Sequence, residues 1–86
     1  MKNRSRTEIV AMILDSTNGG ATRTKIMYKA FLSYQQLKEY LTLLIENHLI
    51  EYHGENKLFR TTEKGLNFLK MHNQIEELIH ITARND

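Results

Sequence analysis

TRTKIMYKAFLSYQQLKEYLTLLIE, residues 22–46, reads as two helices meeting at a sharp turn, and the rest of the 86-residue chain is placed from it. Thr22 is a natural N-cap, and after it Ile26, Met27 and Ala30 fall on one side while Arg23, Lys25 and Lys29 point elsewhere. This short helix stops at Phe31-Leu32, because Ser33 followed by Gln36 three residues on opens a new capping box. From Tyr34 the helical period is clear. Leu37, Tyr40, Leu41, Leu44 and Ile45 make one apolar face, leaving Gln35, Lys38, Glu39, Thr42 and Glu46 on the other. The spacing predicts an end near Asn47-His48.

Upstream, Ser5 and Glu8 form another capping box ahead of Ile9, Val10, Met12, Ile13 and Leu14, which predicts a helix over residues 6–17. Gly19-Gly20 then supplies backbone freedom for the turn into Ala21-Thr22. Downstream, Leu49 to His53 and Leu58 to Thr61 are β-prone runs separated by Gly54-Glu55-Asn56-Lys57, the pattern of a β-hairpin. Thr62 caps a last helix over residues 62–83, broken by nothing except Gly65 near its start. The order is helix, helix, helix, hairpin, long helix. Two helices joined by a tight turn, the second with a polar face its own core does not need, form a helix-turn-helix unit, and the hairpin makes it winged. The expected fold is therefore mainly α with a small β-hairpin, a winged helix-turn-helix, in a single domain over residues 1–86.

Composition narrows the function classes. With 41% hydrophobic and 26% charged residues the chain has the profile of a folded domain. At this length the core is small, so dimerisation is a natural supplement. The absence of cysteine removes disulfides, thiolate metal sites and cysteine nucleophiles. No apolar run is long enough to cross a membrane, and the N-terminus lacks the pattern of a signal peptide, so a cytoplasmic, nucleoid-associated protein is expected. The net charge of +2 hides an asymmetry. Residues 1–38 carry seven basic side chains against two acidic, and residues 39–86 five against eight. A front at +5 and a back at −3 point to a polyanion partner for the front.

The run from Lys25 to Leu41 and the joint Phe59-Arg60-Thr61-Thr62-Glu63-Lys64-Gly65 resemble two segments of a family of small archaeal winged-helix DNA-binding proteins. That family includes predicted transcriptional regulators and coiled-coil-dimerised chromatin proteins, and the joint is similar to the threonine-x-lysine-glycine entry to its last helix. The resemblance covers roughly residues 5–70. Phe31 stands where the family commonly has asparagine, and His48 where it commonly has glycine. A histidine can take up the left-handed backbone after a helix, less readily than glycine does. The resemblance implies binding of double-stranded DNA, with the third helix in the major groove and the wing against the backbone. It implies Ser33, Tyr34, Gln35, Lys38, Glu39 and Thr42 as groove-facing residues, nearly the set that the apolar stripe leaves free.

Basic side chains bind DNA by neutralising phosphates, so they matter only if they share a surface. The candidates are Arg4 and Arg6 around the first helix, Arg23, Lys25 and Lys29 on the second, Lys38 on the third, and Lys57 and Arg60 on the wing. The plainer reading is a scattered, solvated set. Gln35 can bond adenine in bidentate fashion and Lys38 can donate to guanine, whereas Ser33, Tyr34 and Thr42 more often bond phosphates. Glu39 repels phosphates unless it accepts from cytosine or orients Lys38 or an arginine. Tyr40, on the apolar face, is a packing residue. In the wing, Lys57 is the one fixed cation of the tip, with Asn56 and His53 as supporting donors.

The last helix carries Phe68, His72, Ile75, Ile79 and Thr82 at steps of three and four, broadened by Leu78 and its neighbours, which is a coiled-coil seam or a wide core face. Its first turns are needed by the domain core. Beyond about Met71 the stripe outruns the domain, and a homodimer through Phe68, His72, Ile75, Leu78, Ile79 and Thr82 is expected. Antiparallel pairing would bring Lys64 and Lys70 near Glu76 and Glu77 of the second copy. His72, Glu76 and His80 share a face, but the two histidines are about 12 Å apart along a straight helix, too far for one zinc ion. No catalytic, cofactor, metal or small-molecule site is expected, and no enzyme. The main expectation is a DNA-binding homodimer, regulator or nucleoid component; the alternative is a winged helix that contacts another protein.

Overall fold

A computed structural model describes the backbone of residues 4–84 and the side chains of residues 4–79. The elements are α1 (Arg6–Ser16), α2 (Arg23–Lys29), α3 (Tyr34–Glu46), β1 (Ile50–His53), β2 (Leu58–Thr61) and α4 (Glu63–Arg84). Local chemistry sets these boundaries. Ser5 Oγ accepts from the Glu8 amide at 3.0 Å while Glu8 Oε1 accepts from the Ser5 amide at 2.8 Å. Ser33 and Gln36 repeat the reciprocal pair at 3.1 and 3.0 Å, and Thr22 Oγ1 accepts from the Lys25 amide. Each such cap satisfies helix amides that would otherwise be left without a partner.

The helix ends rely on less common backbone. Phe31 has φ +53° and His48 φ +61°, so the two positions that flank α3 are both left-handed and neither is glycine. These turns let the amide of Leu32 reach the Met27 carbonyl and that of Leu49 the Leu44 carbonyl, closing the last turns of α2 and α3. The expected third helix thus ends one residue earlier than Asn47, at Glu46.

The three helices enclose a core of Ile9, Val10, Ile13 and Leu14 from α1, Ile26 and Ala30 around α2, and Leu37, Leu41 and Leu44 from α3. The hairpin closes it with Ile50 and Phe59. β1 and β2 are antiparallel, with Ile50 opposite Thr61 and His53 opposite Leu58. A third, one-residue strand lies on the other side of β2: Ala21 and Phe59 exchange both backbone hydrogen bonds, at 2.9 and 2.8 Å. This bridge ties the entry of α2 to the wing. Ile45, assigned to the apolar face of α3, is instead 39% exposed, while Leu43 is half-buried. Ile45 lies about 100° around the helix from Leu44, and the inward arc of so small a core is used up by Leu37, Leu41 and Leu44.

The joint into α4 is held from both sides. Thr62 Oγ1 accepts from the Gly65 amide and donates to the His48 carbonyl, and Lys64 Nζ donates to the Asn47 carbonyl at 2.9 Å. Gly65 is buried there. A Cβ on it would overlap the Leu49 carbonyl and sit 2.6 Å from Thr61 Cγ2, which is why the helix tolerates a weak helix former at this position. α4 then packs on α1 through Phe68 and Leu69 and continues past it. Its 22 residues span about 33 Å, and the longest dimension of the molecule is 49 Å.

Candidate nucleic-acid interface

The outer face of α3 is free of any role in the core. Ser33, Tyr34, Gln35, Lys38, Glu39 and Thr42 are all exposed. Two contacts order this face. Gln35 Nε2 donates to Glu39 Oε2 at 3.1 Å, and the Lys38 ammonium lies 5.6 Å from the centre of the Tyr34 ring. Glu39 therefore orients Gln35, rather than Lys38 or an arginine. Because a carboxylate only accepts, this bond turns the Gln35 carbonyl oxygen away and leaves it available as an acceptor. Ser33 Oγ accepts from the Gln36 amide and keeps its proton for a donor role.

The cations fall into three groups. Arg6 is exposed and lines a shallow hollow with Glu39, Tyr40 and Leu43, so α1 contributes positive charge beside α3. Arg23, Lys25 and Lys29 are exposed on α2. The Arg23 guanidinium lies 5.6 Å from the Tyr52 ring centre and 5.1 Å from that of Phe59, so it roofs the wing and joins it to α2. Lys57 and Asn56 are exposed in the hairpin turn, Lys57 with φ +57°, and Arg60 is exposed on β2 directly opposite Glu51. Glu51 also pairs with His53 at 3.2 Å, which moderates the charge of the wing.

Arg4 belongs to none of these groups. Its guanidinium donates to the Ala30 carbonyl, to the Phe31 carbonyl at 2.8 Å and to Met12 Sδ at 3.1 Å, and it lies 5.9 Å from the Phe31 ring centre. Proposed from sequence as a phosphate-binding residue, it is committed within the protein: it caps the C-terminus of α2 and holds the turn into α3. Nothing local in the sequence signals this, since the partners are 26 and 27 residues away.

Sequence reasoning also passed over Tyr28, which is 80% exposed, next to Phe31 at 74% and Tyr34 at 63%. The signal was present, because Tyr28 lies off the stripe formed by Ile26, Met27 and Ala30.

At the other end of the molecule, α4 exposes Met71, Ile75, Leu78 and Ile79. Of the expected seam residues, Phe68 and His72 are half-buried against their own domain, and the side chain of Thr82 lies outside the described residues. The His72 ring stacks on Phe68, with 7° between planes, and its Nε2 is 3.9 Å from Glu76. Nδ1 of His72 is buried without a hydrogen-bond partner among the described residues. Among those residues no three metal-binding groups cluster, and no helix is long and apolar enough to cross a membrane.

The sequence profile of the winged helix-turn-helix family matches residues 3–80. Among solved structures, the chain is similar to Sso10a-2, a DNA-binding protein from Sulfolobus solfataricus, with a TM-score of 0.77 and 28% sequence identity. The match covers 94% of this chain and 84% of that one. No curated protein sequence matches the chain significantly.

Proposed function

The chain belongs to the winged helix-turn-helix family, and on that premise we propose that it binds double-stranded DNA as a homodimer, acting by occupancy in transcriptional regulation or nucleoid organisation. The observation that carries the reading is the outer face of α3. Five side chains able to bond bases or phosphates, Tyr34, Gln35, Lys38, Glu39 and Thr42, are exposed on one helix while the opposite face fills the core. Arg6, Arg23, Lys25, Lys29, Lys57 and Arg60 are the phosphate-neutralising set, and Ser33 and Asn56 add neutral donors. Arg4 leaves that set because three of its N–H donors are spent on Met12, Ala30 and Phe31.

In this arrangement α3 enters the major groove, which is wide enough to admit a helix, and the wing lies along the backbone. With its carbonyl outward, Gln35 accepts from an exocyclic amine of adenine or cytosine, and the Glu39 carboxylate beside it disfavours the acceptor edge of guanine. Dimerisation runs through the exposed stripe of α4, Met71, Ile75, Leu78 and Ile79, and two copies engage two sites on DNA at once. Antiparallel pairing in the register that sets Lys70 against Glu76 or Glu77 of the second copy gains about 0.2 to 1 kcal/mol per exposed pair, enough to orient the helices and too little to hold them.

The test is a titration of duplex DNA at several salt concentrations. Retardation that weakens steeply as salt rises is expected, since phosphate contacts release counterions. Absence of binding at low salt overturns the reading. Sequencing the fraction bound from a pool of random duplexes then separates a regulator, which enriches a motif, from a general nucleoid component, which does not.

A further inference from the structure

The turn between α2 and α3 contains a residue that stability alone does not explain. Phe31 is 74% exposed and left-handed at φ +53°. A Cβ in that region costs about 1 to 2 kcal/mol, a large exposed apolar ring adds nothing to the core, and asparagine or glycine would fit with less strain. Outliers of this kind collect at functional sites. Tyr28, more exposed still, stands beside it, and the two rings line an open hollow of about 450 Å³ with Thr24, Met27 and Leu32. Tyr34 follows at the first position of α3.

Cations surround these rings. Arg4 lies over one side of Phe31 and Lys38 over Tyr34, while Lys25, three residues before Tyr28 and exposed like it, shares its side of α2. A planar ring with a cation over one face fits one partner chemistry well: a flat nucleobase stacks on the open face, and its phosphate meets the positive charge nearby. A protein partner would instead find strongly hydrated lysines where it needs apolar contact. Paired bases inside a duplex do not offer their faces. Unpaired ones do.

We propose that Tyr28 and Phe31 form a stacking ledge for unpaired nucleobases, so that the protein binds single-stranded nucleic acid at a surface that adjoins the outer face of α3 and shares Lys25 and Lys29 with the duplex-binding set. The ledge lies within the basic half of the chain, so a strand that continues past it meets fixed positive charge. The inference goes beyond duplex binding and does not depend on it.

The chain lacks tryptophan and has four tyrosines, so its own tyrosine emission reports on stacking. Titration of the full-length protein with a short oligothymidylate at low salt is expected to quench that emission, with a matched blunt duplex measured in parallel. Phe31→Asn suits the left-handed backbone, and Tyr28→Gln keeps a good helix former at an exposed site, so both variants retain the fold. Each should weaken oligothymidylate binding by about tenfold, in line with the loss of one stacked base, and leave duplex affinity within twofold. Oligothymidylate that fails to bind the unchanged protein, or that a mobility shift shows to bind the Tyr28→Gln/Phe31→Asn double variant equally well, overturns the proposal. A double variant with altered self-association and unaltered strand binding also overturns it and assigns the ledge to protein contact. Loss of duplex binding alone bears on α3 and not on the ledge.

Discussion

Among the described residues the most exposed large apolar side chains gather in two places, and the two differ in kind. At the α2–α3 turn they are aromatic, Tyr28, Phe31 and Tyr34, with Arg4 and Lys38 against the rings. On α4 they are the unbranched or aliphatic Met71, Ile75, Leu78 and Ile79, interleaved with Glu76 and Glu77. Exposure by itself says only that something is left over from the core. The chemistry of what is left over says what can cover it: aliphatic chains need a partner that fills volume and excludes water, whereas aromatic planes beside cations suit flat, anionic ligands. The two regions also differ in support. The turn is fixed by Arg4 and by a left-handed residue, while the described side chains of distal α4 include Met71, Ile75, Leu78 and Ile79, each more than half exposed.

The largest expected effect separates these regions at the back. Ile75, 55% exposed, contributes little to the core of its own domain, so Ile75→Asp should leave the melting of the isolated domain nearly unchanged. In a helix–helix seam the same change removes a buried side chain, worth about 2 to 5 kcal/mol, and sets a charge in an apolar contact. Sedimentation should therefore show dissociation at concentrations where the unchanged chain is dimeric, together with weaker DNA binding. A variant that remains dimeric moves the interface away from α4, most simply to α1, and the contrast between the two surfaces would then need redrawing.

Next in size is Arg4→Ala at the front. Its guanidinium holds the Ala30 and Phe31 carbonyls, and hydrogen bonds involving a charged group contribute about 1.5 to 3 kcal/mol each when sheltered, less where water competes as it does here. A loss of about 1 to 2 kcal/mol in urea denaturation is expected. DNA affinity should fall because α3 is less well positioned, with the slope of log affinity against log salt unchanged. A slope reduced by about one would mean that Arg4 touches phosphate after all.

That residue marks the limit of what the sequence disclosed. The caps at Ser5, Thr22, Ser33 and Thr62 are local bargains between neighbours three residues apart, so the capping residues were legible, and the last helix, expected from residue 62, starts at Glu63. The hairpin followed from a four-residue turn between β-prone runs. The outer face of α3 was legible because an apolar stripe defines its complement. Arg4 was not, since its bonds span the chain, and neither was the Ala21–Phe59 bridge, which depends on how the turn after α1 approaches the wing. Ile45 was misassigned because periodicity gives a direction around the helix and not the width of the core that will receive it.

Lys38→Ala and Gln35→Ala are expected to act more gently and only on binding. Both residues are exposed and off the stripe, so thermal stability should hold within about 0.5 kcal/mol. Removal of Lys38 should weaken binding and relax the preference for guanine at one position; an equal loss on all duplexes with the salt slope lowered by about one would place Lys38 on phosphate instead. Gln35 is bound to Glu39, and its loss should act on base preference at one position, at about 1 to 3 kcal/mol if the contact is bidentate and nearer the lower end for a single acceptor. Mobility shifts against single-base variants of a selected site would measure it. If either substitution unfolds the domain, the two faces of α3 have been exchanged.

The smallest effect sharpens the comparison most, because it sets the two left-handed residues that flank α3 against each other. His48 at φ +61° has an exposed side chain, and the contacts that matter at this position, the His48 carbonyl with Thr62 Oγ1 and the Leu49 amide with the Leu44 carbonyl, are made by backbone. His48→Gly removes a Cβ strain of about 1 to 2 kcal/mol and adds roughly 0.5 to 1 kcal/mol of unfolded-state entropy, so a net gain of about 0.5 kcal/mol is expected. Phe31→Asn relieves part of the same strain but also removes the ring over which Arg4 sits, a contact worth about 0.5 to 1 kcal/mol at an exposed site. Those two terms nearly cancel, and the expected change in stability is close to zero. Parallel urea denaturation of the two variants checks both numbers. A clear loss for Phe31→Asn would give the ring a structural reason to be there, and with it the case that this exposed aromatic is kept for a ligand would lapse.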